Sequence, residues 1–252
     1  MMRTRPILPA LALLLVVVAT ACQVRTTVTV DVAEDGSGTV EVAAGLDADA
    51  MERVPDLDGD GTSGPADLAA LVRDEDLVAA GWTVADPETD ADGTTWLRVS
   101  RPFGTTEEAD RILAGLTGTE GGLRDLDLTR TESFGRTELS FTGSADLSRG
   151  LEAFGDAELA AALDGEPLGE DAAAIEARLG QPLAEMVTLE LTASLADEDA
   201  TWTPRLGDAP VDMVADVTVY DTPVLALAAV AVVCLAALVT ILVVRAIRTR
   251  RA

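Results

Sequence analysis

The sequence predicts an α+β domain, an antiparallel twisted sheet with helices packed on one face, followed by one C-terminal transmembrane helix. Three observations carry this. Several segments alternate apolar and polar residues around Gly-rich turns, the pattern of antiparallel hairpins. Others space their apolar residues at helical intervals. Val224 to Val244, VLALAAVAVVCLAALVTILVV, is 21 residues without a charge, the length that crosses a hydrocarbon core of roughly 30 Å.

Residues 1–22 carry Arg3 and Arg5, an apolar run from Ile7 to Ala19, and then Ala19-Thr20-Ala21-Cys22. Basic end, apolar middle and small residues are the layout of a secretory signal. Its close resembles a bacterial lipobox, with Ala at position 19 where Leu is usual. The resemblance implies cleavage before Cys22 and a diacylglyceryl thioether on it. An extracytoplasmic domain is then expected over 23–221, the span over 224–244 and a basic cytoplasmic tail over 245–252. One transmembrane helix suffices for retention. A lipid on Cys22 would instead pin the other end of the domain close to the bilayer.

Val28, Val30 and Val32 alternate, Asp35-Gly36-Ser37-Gly38 turns the chain, and Val40 and Val42 alternate again: a β-hairpin. A short helix is expected at 48–54 and an acidic Gly-rich loop at 55–64. Pro65 suits the first turn of a helix with Leu68, Leu71 and Val72 on one face and Gly81 as its stop. Strands follow at 82–84 and 94–99. Thr105-Thr106-Glu107-Glu108 reads as a capping box before Ala109, Ile112, Leu113 and Leu116. A second hairpin spans 126–131 and 136–142 about Ser133-Phe134-Gly135. Leu147, Leu151 and Phe154 share a helical face, further helices are expected at 156–163 and 170–179, and strands at 186–195, 201–203 and 212–219.

The charge is confined. All 44 acids lie between Asp31 and Asp221, the formal net charge is −26, and there is no Lys or His. Such a surface argues against nucleic acid and against adsorption to anionic lipid. It suits calcium, cationic partners or neutral glycan headgroups, and equally plain solubility. Cys22 and Cys234 are the two cysteines. One lies at the processing site and one in the span, so no disulfide can staple the domain.

Asp56-Leu57-Asp58-Gly59-Asp60-Gly61-Thr62-Ser63-Gly64-Pro65-Ala66-Asp67 is a candidate calcium loop. Such loops place oxygens at positions 1, 3, 5 and 7, Gly at 6 and a carboxylate at 12. Here those are Asp56, Asp58, Asp60, the Thr62 carbonyl, Gly61 and Asp67. Ser63 at the usually apolar position 8, and Asp for Glu at 12, depart from the pattern. A solvated acidic loop accounts for the same residues. Trp82, Trp96 and Trp202 are candidates for the wall of an apolar pocket, or are core residues of their strands. With no His or Lys, and neither Cys free to act, the roles of nucleophile and base cannot be filled, and no enzyme is expected.

A Cys followed at once by a Val-rich hairpin with a central Gly-Ser-Gly resembles the start of actinobacterial LppM-type lipoproteins. Ala200-Thr201-Trp202-Thr203-Pro204-Arg205-Leu206-Gly207 is similar to that family's threonine–tryptophan strand, and Ala215-Asp216-Val217 and the span follow in its order. The resemblance covers most of 22–250. It implies an extracytoplasmic α+β domain associated with envelope phosphoinositide glycolipids. The expected function is therefore non-catalytic binding of an envelope lipid or glycolipid by a membrane-anchored lipoprotein. The alternative is a calcium-stiffened structural or protein-interaction module.

Overall fold

The computed structural model describes residues 23–57, 61–70, 74–116, 122–149 and 182–251. The signal segment, Cys22, Asp58, Asp60, Leu151, Phe154 and the helices expected at 156–163 and 170–179 lie outside the described residues.

Strands β1 (Val24–Val32) and β2 (Gly38–Leu46) form the first hairpin, with Val28 opposite Val42 and Val30 opposite Val40. β5 (Thr95–Phe103) pairs antiparallel with β2. The two-residue strands β3 (Thr83–Val84) and β4 (Glu88–Thr89) both pair with β5. On the other side β8 (Val187–Leu195) pairs with β1, and β9 (Glu198–Trp202) with β8. A second sheet holds β6 (Leu123–Ser133), β7 (Arg136–Ala145) and β10 (Val211–Tyr220) in the order β10-β7-β6.

The α+β class is as the sequence predicts, but the sheet differs from the single antiparallel one expected. The described strands form two sheets, and β8 runs parallel to β1. Short turns force antiparallel neighbours, and that rule governs only hairpins. β1 and β8 are separated by most of the chain, so no turn fixes their sense. The division in two follows from amphipathicity. Val28, Val30, Val32, Val40, Leu189, Leu191, Ala193 and Leu195 fall on one face of the first sheet by register, and each is at most 4% exposed. Leu128, Leu139, Phe141, Met213 and Val217 line one face of the second. Two one-sided sheets bury their apolar faces against each other. All of these residues belong to one core cluster, and the Phe141 and Trp202 rings meet across it at 6.0 Å.

The helices are α1 (Ala48–Met51), α2 (Pro65–Ala70), α3 (Asp74–Ala79), α4 (Thr106–Leu116), α5 (Leu183–Met186) and α6 (Thr222–Arg251). α1, α2, α4 and α5 place apolar residues on the inner face of the first sheet, as expected. Ala109, Ile112 and Leu113 of α4 enter the main core, and the helical spacing of these residues is the reason. Met51 and Leu68 pack with Val54, Leu97, Leu46 and Val84 in a second, smaller cluster under α1 and α2. The outer face is polar: Arg25, Thr27, Thr29 and Asp31 of β1 point there beside Thr188, Glu190 and Thr192 of β8.

α6 carries the apolar stretch Thr222–Leu242, none of it buried by the domain. It is long and apolar enough to cross a membrane. Thr240, the one hydroxyl between Val224 and Val244, donates to the Ala236 carbonyl at 2.8 Å, so the hydroxyl is satisfied within the helix.

Asp110 ties α4 to the second sheet by accepting from the Leu128 N–H at 2.8 Å. Burial at that contact raises its pKa above the ordinary carboxylate value, with Asp127 and Glu107 adding repulsion and the Leu128 bond opposing. A carboxyl raised in the folded state contributes stability that is present below its ordinary pKa and lost as pH rises through the raised one. Asp110→Asn keeps an oxygen for Leu128 and cannot ionise. The variant is expected to be more stable than the parent at pH 7 by a fraction of a kcal/mol, the gap closing below about pH 4. Urea unfolding across pH tests this. A variant weaker at pH 7 would show that the carboxylate's bond to Leu128 outweighs its desolvation.

Candidate functional site

The acidic loop is held by its own side chains. Gly64 precedes α2, Pro65 opens it, and Asp67 lies in its first turn. The two Asp67 oxygens each accept a backbone N–H, Oδ2 from Gly64 at 2.8 Å and Oδ1 from Leu57 at 2.6 Å. The first is the return half of a capping box, satisfying a donor the helix end leaves open. The second draws the incoming chain onto the helix. Asp67 is 1% exposed, so both bonds form away from water. Ser63 Oγ donates to the Val54 carbonyl at 2.5 Å, and the Gly61 N–H to Asp56 Oδ2 at 2.9 Å. Asp56 and Thr62 face solvent.

Of the predicted calcium ligands, Asp58 and Asp60 are not described. Among the described residues no group of three or more Cys, Asp or Glu side chains is placed to hold a metal. The residue at position 12 of the loop pattern faces the backbone it fastens. A carboxylate in that role explains an Asp here, since its short side chain reaches N–H groups of the adjacent turn.

The three tryptophans are not brought together. Trp96 is on the outer face of β5, its ring over Gly45, where a Cβ would lie 2.8 Å from the ring carbons. The Arg98 guanidinium stands 5.4 Å from the Trp96 ring centroid, a cation–π contact at the surface. Trp82 and Trp202 pack on the main core from the inner side, Trp202 against Phe141. The described carboxylates with lowered pKa serve turns and caps. Ser37 holds Asp35 down by side-chain and backbone bonds, Ser148 does the same for Asp146, and the Thr94 N–H does so for Asp92. The backbone N–H of Glu107 itself leads its lowering.

The sequence reading missed the joint between domain and apolar helix. β10 ends at Tyr220 and α6 begins at Thr222, with only Asp221 between. Asp221 Oδ1 accepts from the Val224 N–H at 3.0 Å, an N-cap. Its own N–H donates to the Gly135 carbonyl at 3.0 Å. Gly135 has φ +69, open to glycine without penalty, and a Cβ there would lie 2.6 Å from Leu225 Cδ2. The β6–β7 turn is thereby fixed to the first turn of α6. Two signals could have revealed the joint: an N-cap Asp directly before an apolar run, and a Phe in a two-residue turn where polar residues are the rule.

No protein-family model matches the chain, and no curated protein matches it. Among solved structures it is similar to the folded domain of the LppM protein of Mycobacterium tuberculosis, determined by NMR. The similarity has 16% identity and a TM-score of 0.39, and it covers 81% of this chain and 94% of that one. That domain bears the name of the family that residues 22–250 resemble.

Two outcomes are expected. Asp67→Ala removes the acceptor of two part-buried N–H groups and should cost about 1–2 kcal/mol in urea unfolding without calcium; a neutral effect would remove the clasp. Separately, calcium binding at 56–67 would raise the Tm at millimolar calcium in the parent and not in Asp58→Ala. An unshifted parent would leave the loop a purely backbone-fastened one.

Proposed function

We propose that this protein holds its α+β domain on the extracytoplasmic side of a cell membrane by a single span, and there binds a lipid or glycolipid of the envelope without acting on it chemically. The observation that carries the reading is the joint at Asp221. A domain on a free linker could work anywhere within reach of that linker. This one is fastened to the start of an apolar helix by a cap and a strand-end hydrogen bond, and so works at the bilayer surface. Arg245, Arg248, Arg250 and Arg251 follow the span without an acid, which supports a cytoplasmic C-terminus. The acidic domain is then outside. Absence of His and Lys, and the engagement of the perturbed carboxylates in turns, caps and the α4–β6 contact, support a non-catalytic role.

A second reading, an interaction module, is favoured by one observation. Trp82 and Trp202 are half-buried and pack against the main core cluster, where a pocket wall would have needed them on a cleft. Native mass spectrometry of the full chain, extracted in detergent from its own membranes, separates the two. Binding predicts one envelope lipid mass that stays on the protein when detergent is stripped. A bare protein mass would discard the lipid reading and leave the interaction module.

A further inference from the structure

The two exposed aromatic side chains among the described residues stand at the same place. Phe134 is 76% exposed and Tyr220 58%, whereas Phe103 and Phe141 are buried and the three tryptophans are partly so. Phe134 is the first residue of the two-residue β6–β7 turn, in which Ser133 pairs with Arg136. Tyr220 closes β10 and pairs with Arg136 across the sheet. Both flank the point at which α6 leaves the domain. Gly135, next to Phe134, abuts Leu225, the fourth residue of α6. A helix rises 1.5 Å per residue, so the turn reaches the level at which the apolar stretch from Thr222 has already begun.

An exposed Phe at a hairpin tip is costly in water and is ordinarily replaced by a turn-forming polar residue. Behind the tip stands a collar of charge: Arg136 pairs with Glu138 at 3.1 Å and Arg130 with Glu132 at 2.6 Å. An apolar tip ahead of a charged collar, beside the start of a span, fits the boundary between headgroups and acyl chains. Aromatic side chains concentrate at that depth.

We propose that the Phe134–Gly135 turn is a membrane-contact site that dips into the outer boundary of the bilayer. With Tyr220 and α6 it forms a rigid foot on which the domain stands. The inference rests on the reading of α6 as a transmembrane span. The occupant is the lipid bilayer itself, met through apolar contact. A specific headgroup is not required, since the surface offered is a phenyl ring and a glycine.

Photo-crosslinking of the full chain in vesicles of phosphatidylcholine and phosphatidylglycerol tests it. p-Benzoylphenylalanine is placed at one of three positions: Phe134, Val233 in the middle of the span, or Asp208. Asp208 precedes β10 at its far end, a strand length of roughly 30 Å from α6. Phospholipid adducts at 134 and 233, with none at 208, are the expected result. Adducts at 233 and none at 134 would overturn the foot while leaving the span intact. No adduct at 233 would overturn the span, and the foot with it. Adducts at all three would show a domain lying on its side and would equally overturn the proposal. Because the probe at 134 is itself a phenylalanine derivative on an exposed turn, folding is not at stake.

Discussion

Burial of one face of each sheet against the other is the interaction on which the rest of this structure depends. The domain has no cysteine pair, and its ion pairs are mostly exposed arginine contacts at 3 to 4 Å, which contribute little each. What remains is apolar area. Val30, Val32 and Val40, Leu191 and Leu195, Phe141 and Met213 are nearly inaccessible and belong to one cluster. Aliphatic side chains supply most of it, Phe103 and Phe141 are the large rings among them, and Trp82 and Trp202 pack against the cluster. Burial of this kind is non-directional, so register comes from alternation. A one-residue slip in β1 would put Thr27, Thr29 and Asp31 into the core.

The same economy explains the helices. Among the described residues, none of the helices in the domain exceeds 11 residues, a length marginal in isolation. α1, α2, α4 and α5 are held because apolar residues of each pack on the inner face of the first sheet. Asp67 and Asp110 then act as fasteners, one closing the loop onto α2 and the other joining α4 to β6. An acidic composition therefore does two things here. Most carboxylates keep the surface hydrated, and a few inside hold N–H groups that would otherwise lack partners.

Much of this was legible in the sequence, and the residues show where legibility stops. The Val28–Val32 and Val40–Val42 alternation, the stripe of Ala109, Ile112 and Leu113, and the uncharged run from Val224 each record a local period, and local periods are what a one-dimensional string preserves. The parallel pairing of β1 with β8 and the separation of β6, β7 and β10 into their own sheet are choices among distant partners, and no period encodes them. Site residues divide in the same way. The acidic loop was found by spacing, but that Asp67 turns inward to Leu57 and Gly64 depends on the approach of the chain from Val54. The three tryptophans looked equivalent as residues on strands. Parity in the sheet sets Trp96 on the opposite face from Trp82 and Trp202, and parity cannot be read until the pairing is known.

The described contacts also fix which end of the domain faces α6, and that bears on the anchor expected at the other terminus. Arg130 of β6, near the Phe134 turn, donates to the Glu34 carbonyl in the β1–β2 turn at 3.2 Å. At the opposite end Thr188, beside Arg25 in the sheet, bridges to Arg205 ahead of β10. β1 and β10 thus run in the same sense, toward α6. Gln23, locked at the start of β1 by reciprocal bonds with Asp47 at 2.7 and 3.2 Å, is then about 30 Å from the foot, nine residues at about 3.3 Å each. A lipid on Cys22 adjoins Gln23 with no linker to cross that height. A domain upright on Phe134 and a lipid on Cys22 therefore compete for one leaflet. Pinning both ends to the same bilayer requires the domain to lie down and the Phe134 foot to lift. If the domain stands, a lipid at Cys22 points away from the membrane that holds α6, toward whatever apolar layer or partner lies a strand's length outward.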